Sequence, residues 1–65
     1  MSKPTVSYDA EADAAYIRFS PGEVEESEEV SAGIVLDYDA NGHIIGIEVM
    51  DARRQLPPQL LEEAA

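Results

Sequence analysis

Short alternating runs separated by turn residues fill the first fifty positions. In "VSY" (6–8), Val6 and Tyr8 share one face of an extended strand, and in "AYIRF" (15–19) Ala15, Ile17 and Phe19 do the same. "SPG" (20–22) reads as a turn, "EVEESEEV" (23–30) as a strand framed by Val24 and Val30, and "SAG" (31–33) as another turn. "IVLDY" (34–38) and "IIGIEVM" (44–50) complete the pattern on either side of "ANGH". Short strands spaced this way predict an antiparallel β-meander of four to five strands.

After residue 50 the alternation stops. "DARRQL" (51–56) opens on Asp51, a good helix N-cap, and continues in helix formers. "PPQLLEEAA" (57–65) restarts with proline suited to a first helical turn, and Leu60 and Leu61 supply its apolar side. One or two short helical turns should pack on one face of the sheet. The predicted fold class is therefore α+β: a small antiparallel β-meander with a short C-terminal helix. A single domain spans 1–65, with a core over 5–56 and a proline-interrupted helical tail over 57–65. The dry face is predicted from Val6, Tyr8, Ile17, Phe19, Ile34, Leu36, Tyr38, Ile45, Ile47 and Val49.

One stretch, "DYDANGHIIGIE" (37–48), also fits a calcium-binding EF-hand loop. Asp37, Asp39 and Asn41 fall at loop positions 1, 3 and 5, Gly42 at the sharp turn and Glu48 at position 12. A working loop needs a helix on each side. "VSAGIVL" before it is β-branched and carries a glycine, and "IIGIEVM" after it alternates. Asn41-Gly42 is instead a strong hairpin signal, since a type I′ turn needs two positive φ angles. A two-residue loop there puts Tyr38 opposite Ile45, Leu36 opposite Ile47 and Ile34 opposite Val49, three apolar pairs on one face. The other face then carries Asp39–Ile44, Asp37–Gly46 and Val35–Glu48. The hairpin is the reading adopted; Asn41 and Gly42 are structural turn residues and no metal site is assigned.

Composition narrows the function classes. Sixty-five residues allow one thin core, and there is no cysteine to staple it. Fourteen acidic residues against four basic ones give a formal net charge of −10. That balance argues against nucleic acid, which demands clustered Lys and Arg, and against anionic membrane surfaces. "MSKPTVSYD" has no apolar run after its lysine, and no stretch is long enough to span a bilayer, so a cytoplasmic protein is expected.

Candidate chemistry is sparse. His43 has no second histidine or cysteine with which to share a metal. None of the serines lies in a nucleophile elbow. Asp37 and Glu48 share a face and have the residue types to divide acid and base roles, but a small sheet offers no pocket to separate their pKa values. Arg53 and Arg54 sit beside Asp51, which favours local pairing over anion binding. No catalytic residue and no cofactor is expected. The remaining candidate is the acidic strip Glu23, Glu25, Glu26, Glu28 and Glu29. Charges on both faces of one strand suit an edge guarded against aggregation, and equally a docking strip for a basic protein.

The stretches "YDAEADAAYI" and "DYDANGHIIGIE", with their spacing, resemble a bacterial family, Domain of Unknown Function 2283, over residues 6 to about 56. The resemblance implies a small mixed sheet-and-helix domain without established enzyme activity. Some members of that family are encoded beside small predicted toxins of ribonuclease type, which implies an antitoxin role for those members. No catalytic residues carry over, and nothing transfers to the tail from Pro57. The expected function is a non-catalytic protein–protein interaction module, antitoxin-like in its finer form. The alternatives are a structural homodimer without other partners and, third, a small enzyme or weak calcium binder. A homodimer and a basic protein partner are both expected.

Overall fold

The computed structural model describes residues 3–64. Five strands, β1 (Thr5–Asp9), β2 (Ala14–Arg18), β3 (Glu26–Ser31), β4 (Ile34–Tyr38) and β5 (Ile44–Met50), build one antiparallel sheet. Two short helices follow, α1 (Ala52–Gln55) and α2 (Pro58–Ala64). The strand order is β1-β2-β5-β4-β3. The predicted meander holds for β3, β4 and β5, while the β1–β2 hairpin joins on the other side of β5. The most apolar and longest strand thereby takes the centre, where both of its edges are paired.

This order sends residues 19–25 across the sheet from β2 to the far edge. Arg18 holds that crossing: its Nε donates to the Ser20 carbonyl at 2.7 Å and its guanidinium also donates to the Gly22 carbonyl. The Phe19 N–H donates to the Ile45 carbonyl at 2.9 Å. Ile45, 2% exposed, lies beneath the crossing, where a Cβ added to Gly22 would be 3.6 Å from its Cδ1.

The β4–β5 turn departs from the expected type I′ hairpin. Gly42 has φ of 80°, but Asn41 is not among the positive-φ residues. The loop is Ala40-Asn41-Gly42, closed by Gly42 N–H to the Asp39 carbonyl (3.1 Å) and Asp39 N–H to the His43 carbonyl (3.0 Å). The Asp39 carboxylate selects it by accepting the N–H groups of Asn41 and His43, each at 2.9 Å. Three-residue loops of this kind need one left-handed residue, supplied here by glycine. The longer loop alone would slip the register by one. A bulge at Ile45 restores it, so Ile34–Val49, Val35–Glu48, Leu36–Ile47 and Asp37–Gly46 pair as predicted. Tyr38 pairs with Ile44, not Ile45, which corrects the expected pairs nearest the turn.

The first helix starts where expected, with Asp51 at the N-cap position, but its cap is different. Asp51 has φ of 51° and makes no side-chain cap. Asp13, from the β1–β2 turn and itself at φ of 51°, caps α1 instead. Its carbonyl accepts the Ala52 N–H at 3.0 Å and its Oδ1 accepts the Arg53 N–H at 3.1 Å. The Tyr8 hydroxyl donates to the same Oδ1 at 2.8 Å.

Ala15, Val49, Ala52 and Leu61 form the core, with Tyr8, Ile47 and Leu56 packed around it. Of the ten residues predicted for a dry face, only Ile45 and Val49 are buried. Val6, Tyr8, Ile17, Ile34, Leu36, Tyr38 and Ile47 are half-buried, and Phe19 is 39% exposed. Helices of four and seven residues cannot cover five strands. α2 lies against β1 and leaves the β4–β3 side of that face open.

Candidate interaction surface

The acidic strip lies where an edge strand was expected, but it is shorter. β3 is the edge of the sheet and all six of its residues are exposed. Glu23 and Glu25 precede it in the crossing segment, although the Glu25 N–H still donates to the Tyr38 carbonyl at 2.8 Å. Alternation divides the rest. Glu26 and Glu28 stand opposite Tyr38 and Leu36, on the helix-bearing face; Ser27 and Glu29 stand opposite Asp37 and Val35, on the other. The ion pairs among the described residues are His43–Asp39 (3.5 Å) and Arg54–Asp51 (3.2 Å), so no arginine or lysine there neutralises the strip.

On the helix-bearing side a cleft of about 500 Å³ opens between β3 and the β4–β5 turn, lined by Glu26, Glu28, Tyr38 and Asp39 among others. The Tyr38 hydroxyl donates to Glu28 Oε1 at 3.1 Å. Partial burial and that carboxylate raise the Tyr38 pKa above its ordinary value. Hydrogen bonds from the His43 and Asn41 N–H groups hold the Asp39 carboxyl below its own. His43 is an exposed turn residue, its side chain 77% accessible.

Register carries the apolar part of the surface. Val6, Ile17, Ile47 and Leu36 are successive cross-strand partners on β1, β2, β5 and β4, and Glu28 continues the row on β3. All four aliphatic residues are half-buried, though they point to the core side.

The opposite face holds a polar cluster that sequence reasoning did not find. Asp37, 4% exposed, accepts the Tyr16 hydroxyl at 2.9 Å and the Ser27 hydroxyl at 2.6 Å. Burial and the Asp37 carboxylate raise the Tyr16 pKa. Tyr16 crosses β5 over Gly46, where an added Cβ would lie 2.6 Å from Cζ of the ring. The signal was the glycine itself, since one in mid-strand marks a close approach. Asp37 and Glu48 are not brought together as an acid–base pair; Asp37 is engaged by Tyr16 and Ser27, and Glu48 stands opposite Tyr16 and Val35.

A second cleft, of about 400 Å³, lies between β1 and the helices, bounded by Tyr8, Arg53, Pro58, Leu61 and Glu62. Arg54 pairs with Asp51, while Arg53 donates its N–H to Asp13. Among the described residues no three His, Cys, Asp or Glu side chains come together to hold a metal, and no helix is long and apolar enough to cross a membrane.

Comparison with known proteins adds one finding. No curated protein and no solved structure matches the chain. The profile of a family described as a protein of unknown function, DUF2283, matches residues 5–53, from β1 into α1, and stops short of α2. With most of its length inside that match, this chain belongs to the DUF2283 family.

Proposed function

We propose that the chain is a non-catalytic interaction module for a basic protein partner. The observation that supports this most directly is β3, an edge strand exposed along its whole length whose carboxylates meet no lysine or arginine among the described residues. Uncompensated charge of one sign raises the encounter rate with the opposite sign and falls off as salt screens it. A non-catalytic role is supported by Asp37, the one buried carboxylate among the described residues, whose oxygens are occupied by hydroxyls of the same sheet. Antitoxin-like neutralisation of a basic protein is the finer form of the same reading.

The test is a variant with Glu25, Glu26, Glu28 and Glu29 all changed to glutamine. Its association with a partner recovered from the source cell should slow, and the salt dependence should flatten. Identical partners and identical salt dependence would reduce the strand to an edge guard. Self-pairing is the second reading, favoured by Met50, 45% exposed on the face opposite the helices.

A further inference from the structure

We infer that the docking surface is the half-covered helix-bearing face of the sheet, and that its occupant is a basic amphipathic helix of a partner protein. This rests on the reading above and names the face and the partner chemistry. The row Ile17–Ile47–Leu36 runs across three strands rather than along one, beyond the β1 strand that α2 lies against, and every member is half-buried. Strands lie ~4.8 Å apart, so the row is ~10 Å long. A helix advances about 5.4 Å per turn, so apolar residues one turn apart meet successive strands over about two turns. An extended peptide laid across the strands would match less well, its same-face side chains being ~6.8 Å apart.

Charge decides what kind of helix. The row ends in Glu28, and Glu26 and Asp39 line the cleft beside it with Tyr38. A helix that places aliphatic residues on the row and lysine or arginine at the β3 end meets both. A second copy of this chain is disfavoured, since α2 carries Glu62 and Glu63 in its last turns and no base.

Alternation along β3 supplies the test, because adjacent carboxylates point to opposite faces. The probe is a fluorescein-labelled leucine–lysine amphipathic helix of about four turns, with a scrambled peptide of the same composition as control. The amphipathic peptide should bind at least about tenfold tighter than the scrambled one. Glu26→Lys with Glu28→Lys should weaken it about tenfold, and Glu25→Lys with Glu29→Lys less than about twofold. Backbone amide shifts on binding should centre on Ile17, Ile47 and Leu36. All four substituted positions are exposed, so the variants should fold, which circular dichroism checks. Equal weakening by both pairs, or equal binding of the scrambled peptide, would overturn the inference and leave the acidic module standing. So would a dimer of the free chain that protects the Leu36 and Ile47 amides. Indifference to both pairs and to the fourfold glutamine change would remove the reading beneath it as well.

Discussion

Gly46 sits in β5 between Arg18 of β2 and Asp37 of β4, with the Tyr16 ring laid across it. The ring has to cross there, because its hydroxyl reaches a buried carboxylate two strands away. Gly46→Ala should therefore displace the ring and cost about 1–3 kcal/mol. In a Tyr16→Ala background the same change should cost almost nothing, and chemical denaturation of the four proteins in that cycle measures the difference. Equal costs in both backgrounds would mean that the ring does not exclude a side chain at 46. Gly42 is the opposite case. An added Cβ meets nothing within 4 Å, but φ is 80°, so any penalty there comes from the backbone alone. Gly42→Val should destabilise by about 1–2 kcal/mol in the same assay, and a neutral result would contradict the left-handed turn. The difference in legibility between the two glycines is physical. Asn41-Gly42 announces a turn within neighbouring residues. The tie between Tyr16 and Asp37 spans 21 positions and exists only once β2 and β4 flank β5.

Among the elements, the hairpins were readable and their surroundings were not. The register of β4 against β5 follows from aliphatic alternation, and it survives because a three-residue loop and a bulge at Ile45 cancel. Strand order was not legible, since alternation fixes faces and says nothing of which hairpin lies beside which. Nor was the cap of α1 legible, because Asp13 stands about forty residues from the N–H it accepts. Asp13→Ala should lower the thermal midpoint by several degrees, with Asp13→Asn in between, since its amide oxygen still accepts. The pH dependence has a definite sign. The Tyr8 hydroxyl and the Arg53 N–H hold the Asp13 carboxyl below its ordinary value of 3.8, and backbone N–H groups do the same for Asp39. A lowered folded pKa contributes stability above the ordinary value and loses it as pH falls through the folded one. Tyr8, Tyr16 and Tyr38, raised above 10.0 by burial and carboxylate neighbours, contribute below that value and lose it as pH rises. Melting temperatures should therefore decline below about pH 4 and above about pH 10, and Asp13→Asn should flatten the acid side. An unchanged acid limb in Asp13→Asn would remove Asp13 from the account. Calcium is checked on the same hairpin. Because Asp37 is engaged by hydroxyls and Asp39 by turn amides, millimolar calcium should leave the midpoint and the amide signals in place. Micromolar binding lost in Glu48→Gln would reverse that conclusion.

At the scale of the whole molecule, one sheet with a partial helix layer makes a plate 32 × 29 × 17 Å across. No large side chain among the described residues is fully buried, which is the physical cost of a 65-residue chain without a staple. Both faces of the plate consequently keep apolar surface. On the helix-bearing face that surface borders Glu26 and Glu28, which suits a basic guest. On the other face Val35 and Tyr16 lie beside Asp37, and Met50 stands at the far end of β5, next to Gly33. The sequence placed Val35 and Ile44 together on that face, but the three-residue loop sets Ile44 opposite Tyr38 instead, and Met50 is exposed on that face. A homodimer through it would cover Met50 and Val35 while leaving the Leu36 row free, so self-pairing and partner binding need not compete. Its opponent is the net charge of −10 on each copy. Repulsion of that kind is long-ranged and screened by salt, whereas apolar contact is not weakened by it. The dimer should therefore strengthen as salt is raised, the reverse of the salt dependence expected for a basic partner. Sedimentation at tens of micromolar, in low and high salt, should show a dimer fraction that grows with salt and is lost in Met50→Lys. Monomer at every salt concentration would end the case for self-pairing. A dimer indifferent to Met50→Lys would move it to another surface.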